Sequence, residues 1–268
     1  MRLSVVLSTQ PAQFQAATFK GDLGTNLQRI AGLGYDGVEL AIRDPKLVDL
    51  DSLEGLLRKY GLAVPAIGTG QAWGEEGLSF TDPDENVRKA AIARIQSHIP
   101  VAARFKAVII IGLVRGIVKP GVDPAQAMDW LVEALRLCCA AARAEDIRLA
   151  LEPINRYETT LINTAAQGME LIERVGADNF GLLLDTFHMN IEEADIEASI
   201  RKCEAHTFHF HVADSNRWHP GAGHLDFRSI LKALFEGGYQ GWISGEFLPK
   251  PNAEMAAQRS IDCLRLVL

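Results

Sequence analysis

A chain of 268 residues with 34 acidic against 27 basic side chains carries a formal net charge of −7, which argues against a basic nucleic-acid footprint and favours a small-molecule substrate. Hydrophobic residues at 48% and charged residues at 23% are the balance of a globular protein with a large core, so disorder is excluded. The four cysteines show neither CxxC spacing nor a disulfide framework and are expected as buried thiols; no apolar run suits a signal peptide or a bilayer span, so a cytoplasmic protein away from membranes is expected.

Short apolar runs alternate with longer amphipathic ones from end to end, the pattern of parallel βα units rather than of hairpins. Strands are predicted over residues 3–8, 37–41, 64–68, 107–112, 147–152, 181–185, 207–212 and 241–246. An α/β fold of the (β/α)8 TIM-barrel type, which takes about 250 residues, would use residues 1–268 as one domain, since no low-complexity segment or Pro/Gly/Ser-rich linker divides them. Helix starts support the division. Thr25 with Gln28 and Thr164 with Gln167 have capping-box spacing, and Asp82-Pro83 and Asp123-Pro124 each place an N-cap acid before a proline. The helices that follow should run to about Ala103 and Arg143, and a last one from Ala253 to Leu266. Longer connections follow the third, fourth, fifth and seventh strands, all emerging on the face where such barrels build their sites.

Strands five, six and eight end in an acid, Glu152, Asp185 and Glu246. Strand seven alternates, so His209 and His211 should share one face and Phe208, Phe210 and Val212 the other. Any one of these acids alone is as readily a helix cap or a salt-bridge partner. Glu152, Asp185, His211 and Glu246 at matching ends of adjacent strands instead suit one divalent cation such as Mn²⁺, Mg²⁺ or Co²⁺. His209, deeper in its strand, reads as a packed, hydrogen-bonded histidine. His98, His206, His219 and His224 receive no role. The loops add Asn155, Arg156, Glu158, His188, Asn190, Asn216 and Arg217, of which Glu158, His188 and Arg217 follow closely on a ligand-bearing strand end. Trp73, Trp218 and Phe247 either stack on a sugar or cover the rim of the barrel.

The segments 151–159 (LEPINRYET), 185–193 (DTFHMNIEE) and 209–217 (HFHVADSNR), with Gly245-Glu246, resemble the sugar isomerase and epimerase superfamily with the xylose-isomerase-like barrel. Within it they resemble the ketose 3-epimerases, which act on D-tagatose, D-psicose or L-ribulose; residues 34–39 (GYDGVE) match more weakly. The resemblance runs nearly end to end. It implies that Glu152, Asp185, His211 and Glu246 bind one metal, commonly Mn²⁺. It further implies that Glu152 and Glu246 flank the reacting carbon, that Glu158, His188 and Arg217 hold substrate oxygens, and that the chain forms a homodimer or homotetramer. Residues 68–72 and 111–116 also resemble the bacterial 5-keto-L-gluconate epimerases. The loop after strand four departs from the ketose 3-epimerases: Leu113, Val114 and Arg115 stand where several of them carry an aromatic residue. Arg115 then either pairs with a substrate carboxylate or is a surface arginine on a glycine-flanked loop, which leaves a keto-sugar and a keto-sugar acid both open as substrates.

The chemistry explains the constellation. Removing a proton from carbon beside a ketone leaves negative charge on oxygen, which a cation stabilises as an enediolate. Two opposed carboxylates, Glu152 and Glu246, can take the proton from one face and return one to the other. An aldose–ketose isomerase of the hydroxypyruvate or rhamnose isomerase type would use the same groups. An apurinic endonuclease would need further His and acidic ligands and a basic rim, which are not found, and a sugar-binding protein would need no opposed bases.

Overall fold

The computed structural model describes residues 2–267. Eight parallel strands, β1 (Arg2–Ser8), β2 (Gly37–Ala41), β3 (Ala66–Gly68), β4 (Val108–Ile111), β5 (Leu149–Leu151), β6 (Phe180–Asp185), β7 (Thr207–Val212) and β8 (Trp242–Gly245), close in sequence order into a barrel. Both faces of these runs are covered, which is why they read as near-continuous apolar sequence. Leu182, Leu184, Phe210, Val212 and Ile243 join the large core shared with the helices. On the alternate positions Ala66, Val108, Ile110, Ala150 and Leu183 form a separate cluster inside the barrel. Three of the free cysteines, Cys138, Cys139 and Cys203, are buried, and among the described residues no helix is long and apolar enough to cross a membrane.

The outer layer consists of α1 (Leu23–Gly32), α2 (Leu50–Tyr60), α4 (Glu85–Phe105), α5 (Pro124–Arg143), α6 (Ala165–Val175), α8 (Ile196–Cys203), α9 (Phe227–Glu236) and α10 (Ala253–Val267). Two shorter helices, α3 (Gln71–Glu76) and α7 (Thr186–Glu192), lie in the connections directly after β3 and β6. The caps at α5 and α6 are those predicted: Asp123 precedes Pro124, and Thr164 and Gln167 form a reciprocal capping box. Two predicted caps are displaced. Asp22, not Thr25, caps α1 by accepting from the Thr25 N–H. Asp84, not Asp82, caps α4, because Asp82 accepts from the Asp84 N–H and pairs with Lys119 instead.

Several strands are shorter than predicted. Glu152 and Glu246 stand one residue beyond β5 and β8, although the Glu152 N–H still reaches the Ile111 carbonyl at 3.2 Å and the Glu246 N–H the Val212 carbonyl at 3.3 Å. Such boundaries shift by a residue or two wherever one neighbour stops pairing.

The register of β7 holds a feature that alternation did not reveal. Leu182 pairs with Thr207 but Leu183 pairs with His209, so Phe208 is an extra, bulged residue. Phe208 therefore does not share a face with Phe210 and Val212 and packs against the inner cluster. Gly181 makes room for it, since a Cβ there would come within 2.7 Å of the Phe208 ring. After the bulge His211 lies level with Asp185 on β6.

Candidate active site and metal centre

Consecutive strand ends converge on one mouth of the barrel. Glu152, Asp185, His211 and Glu246 each offer one donor atom, and these four atoms lie within 4.8 Å of one another. His211 Nδ1 is 3.7 Å from Glu246 Oε2, 3.9 Å from Glu152 Oε1 and 4.0 Å from Asp185 Oδ2. Glu152, Asp185 and His211 are buried. Asp185 serves two elements: Oδ1 caps α7 by accepting from the Phe187 N–H at 2.8 Å, which leaves Oδ2 turned to the site.

Two atoms at the centre of this group, Glu152 Oε1 and His211 Nδ1, are buried without any hydrogen-bond partner. An orphaned buried acceptor is costly. Three carboxylates and an imidazole nitrogen turned to one point are a donor set for a hard or borderline divalent ion, so the residues present fit such a metal. The like charges leave their mark on ionisation. Burial, reinforced by Glu246, pushes the Glu152 carboxyl well above the usual carboxylate range, His211 and Arg217 only partly opposing.

Arg217 closes the mouth. It stands at φ +63°, donates from Nη1 to Asp185 Oδ2 at 3.0 Å and from Nη2 to Glu246 Oε2, and lies over the Phe187 ring at 4.6 Å. Its loop is held by Asp214, fully buried, whose carboxylate accepts from the Ser215, Gly221 and Leu225 N–H groups. Burial opposes ionisation of Asp214, but backbone donors, the Gly223 N–H foremost and then those of Ser215, Leu225 and Gly221, hold it below the usual range. His188, on α7, sits with Nε2 3.6 Å from Glu152 Oε1. The Asn155 amide, 2.8 Å from His188 Nδ1 and also donating to Glu158 Oε1 at 2.8 Å, faces one ring nitrogen, and Arg217 Nη1, at 3.4 Å, faces the other, Nε2. Burial, then the Arg217 charge, holds His188 far below its ordinary pKa, so it is neutral.

Glu39, Glu152, Glu158, His188, His211, Arg217 and Glu246 all line one cavity of about 320 Å³, whose outer wall includes Phe14, Trp73, Leu113 and Ile154. Trp73 thus faces the cavity. Phe247 is fully buried and Trp218 lies under Lys250; neither lines the cavity. His219 bonds the Pro220 carbonyl and His224 bonds Ser215, away from the site.

Arg115 departs from both expectations. It is fully buried, not at the surface, and it does not line the cavity. Its guanidinium donates to the carbonyls of Gly112 (3.1 Å), Leu161 (3.3 Å), Ile162 (3.0 Å) and Glu152. Every nitrogen is committed to backbone, so no fork is left for a substrate carboxylate. Burial lowers its pKa to about 10, against the attraction of Glu152 and Glu158.

Sequence reasoning missed Glu39 as part of this neighbourhood. Its Oε2 lies 2.8 Å from His209 Nε2 and 2.9 Å from His211 Nε2, with all three residues buried. The signal available was period: in β2, Gly37, Glu39 and Ala41 share one face, and a lone acid between small residues is out of place on an inward face. Asn155 was seen only as a loop polar group.

Comparison with known proteins bears on the family and the fold. The Xylose isomerase-like TIM barrel family model matches residues 27–267. The L-ribulose 3-epimerase of Mesorhizobium japonicum is 34% identical over 239 residues, covering 87% of this chain and 78% of that protein. The ketose 3-epimerase of Arthrobacter globiformis is 32% identical over 219 residues, covering 81% and 74%. A solved L-ribulose 3-epimerase structure superposes with a TM-score of 0.84 at 27% identity, covering 100% of this chain and 94% of the other. The chain belongs to the xylose isomerase-like TIM barrel family, and within it to the keto-sugar epimerases, which are isomerase-class enzymes.

Proposed function

We propose that the protein is a metal-dependent ketose 3-epimerase, inverting the carbon next to the ketone of a free sugar by transfer of protons between two carboxylates. The observation that carries this reading is the pair Glu152 and Glu246. They flank Asp185 and His211 in strand order and face one cavity, the arrangement that proton transfer on opposite faces of one carbon requires.

Glu152, Asp185, His211 and Glu246 would hold the metal, Mn²⁺ by preference and Mg²⁺ or Co²⁺ as alternatives. When bound, the ion supplies positive charge beside the ketone oxygen and the neighbouring hydroxyl oxygen as negative charge develops there. One glutamate removes the proton from the carbon and the other returns one to the opposite face, so the substrate need not turn over. Neutral His188 turns Nε2 to the substrate oxygens, Arg217 holds Glu246 and Asp185 in place and offers its remaining edge to a second oxygen, and Glu158, steadied by Asn155, accepts from a hydroxyl. Phe14, Leu113 and Ile154 shield the reacting end from water.

The cavity favours a neutral sugar over a sugar acid. Arg115 is occupied by carbonyls, and the arginine that does line the cavity, Arg217, is already paired with two carboxylates. Among the described residues lining it, Glu39, Glu75, Glu158 and the metal-binding glutamates make the wall acidic, which disfavours a further carboxylate.

The test is exchange of the proton on the epimerised carbon with deuterated solvent, followed by NMR with Mn²⁺ present, on L-ribulose, D-tagatose, D-psicose, D-fructose and 5-keto-gluconate. The wild type should exchange and yield a second ketose. Glu152→Gln and Glu246→Gln should each lose turnover, and full exchange in both variants would sink the two-carboxylate scheme. An aldose as the product would make the protein an aldose–ketose isomerase.

A further inference from the structure

We infer that Glu39, buttressed by His209, is a positioning residue that fixes the tautomer and orientation of His211 for metal binding. The inference rests on the metal-site reading above and extends it into the interior of the barrel.

The two histidines and the acid come from opposite sides of the fold, β7 and β2, strands that do not pair. Their rings stand edge to face, 5.3 Å apart at 79°. Both Nε2 atoms converge on a single oxygen, Glu39 Oε2, at 2.8 and 2.9 Å. A carboxylate only accepts, so each Nε2 carries the proton. A neutral His211 with its proton on Nε2 has its lone pair on Nδ1, and Nδ1 is the atom that faces Glu152, Asp185 and Glu246 with no other partner. With the opposite tautomer an N–H would point into the metal position and the ring could not ligate. A neutral ring with a free choice of partner would adopt either form. Here the choice is made by Glu39.

His209 has its own part. A lone buried carboxylate beside His211 could swing toward the cavity that it also lines. The second N–H···O bond holds the shared oxygen between the two rings, so Glu39 stays a hydrogen-bond acceptor and does not become a ligand. Hydrogen bonds of 2.8 and 2.9 Å to one oxygen fit N–H donors, and make Glu39, His209 and His211 a support for the site rather than a second ion-binding cluster.

The test is titration of the metal-free full-length protein with Co²⁺, read by its visible absorption, which reports affinity, stoichiometry and ligand geometry without turnover. The wild type should bind one Co²⁺ per chain. Glu39→Ala should bind it about 10–100-fold more weakly, the usual cost of losing such a supporting carboxylate, with an altered spectrum. Glu39→Gln, whose amide oxygen can still accept from the rings, should fall between the two. His209→Gln should weaken binding less than Glu39→Ala. Circular dichroism and melting temperature register any loss of fold separately, and Glu39→Gln with His209→Gln carry the test if Glu39→Ala does not fold. Unchanged Co²⁺ affinity and spectrum in the folded Glu39 variants, while Asp185→Asn loses the ion, would overturn this inference alone. Two Co²⁺ per chain, the second lost with Glu39, would overturn it in favour of a second metal site. Absence of Co²⁺ binding by the wild type would instead overturn the metal-site reading, and this inference with it.

Discussion

Two loops on the same mouth of the barrel each hold an arginine, Arg115 fully buried and Arg217 half-buried, and the two side chains have opposite electrostatic settings. Arg217, after β7, faces the carboxylates of Asp185 and Glu246. Burial would lower its pKa, but these charges raise it above the ordinary arginine value. Arg115, after β4, is surrounded by four backbone carbonyls, and burial wins. The partners therefore decide what such an arginine does: neutral carbonyl dipoles make it a cross-link between loops, while carboxylates make it part of a charge-balanced site. One carbonyl held by Arg115 is that of Glu152 itself, so the structural arginine positions the backbone that bears a glutamate of the candidate site.

The largest effect should come from breaking the cross-link. Arg115→Met removes a donor from each of four carbonyls in the β4 and β5 loops; Gly112 and Ile162 keep the Arg115 and Ile154 N–H groups, while each buried carbonyl left unpaired costs about 1–3 kcal/mol. A loss of roughly 3 kcal/mol or more is expected, which for a domain of this size lowers the melting temperature by roughly 6–12 °C. A melt within about 2 °C of wild type would show that the loops do not depend on it. Arg115→Lys should rescue little, since one ammonium cannot span carbonyls on two loops.

Arg217→Ala is the converse. With Mn²⁺ present the fold should melt near the wild-type temperature while kcat/KM for the preferred ketose falls about 10²–10³-fold, the range for losing one organised donor. A loss of stability equal to that of Arg115→Met, with Mn²⁺ bound and activity retained, would erase the distinction between the two residues.

How much of this contrast was legible beforehand follows from what each feature depends on. Glu152, Asp185, His211 and Glu246 could be placed because strand ends, period and the common mouth of a βα barrel are local or topological properties. The fate of Arg115 could not, since a glycine-flanked arginine reads the same whether water or carbonyls surround it. Glu39 escaped for another reason: its partners lie 170 and 172 residues away across the barrel, and no local pattern reports a contact made by closure. The Phe208 bulge was hidden because alternation assumes one residue per rung. The caps at α1 and α4 were misplaced by two or three residues because several acids and hydroxyls stood close enough to serve, and geometry chose among them.

Asp214 sharpens the comparison at smaller scale, because it does for the Arg217 loop through backbone N–H groups what Arg115 does for its own loop through carbonyls. Asp214→Ala leaves the Ser215, Gly221 and Leu225 N–H groups without their acceptor. About 1–3 kcal/mol should be lost. Displacing Arg217 should also lower kcat/KM by about 10–100-fold. Asp214→Asn, which keeps an oxygen, should fall between; wild-type activity in Asp214→Ala would show that Arg217 needs no such support.

The smallest effect is the most specific to the charge balance. In the metal-free protein Arg217 neutralises Asp185 and Glu246, so deleting it leaves surplus buried negative charge that a divalent ion can offset. The melting temperature gained on adding Mn²⁺ should then be greater in Arg217→Ala than in wild type, by about 2–4 °C for each additional kcal/mol, while Arg115→Met should gain no more than wild type does. Linkage sets the scale, since an ion at 100 times its Kd stabilises the fold by about 2.7 kcal/mol. Equal Mn²⁺-induced shifts in all three proteins would mean that Arg217 and the metal do not share their carboxylates, and the two arginines would then differ only in where they lie.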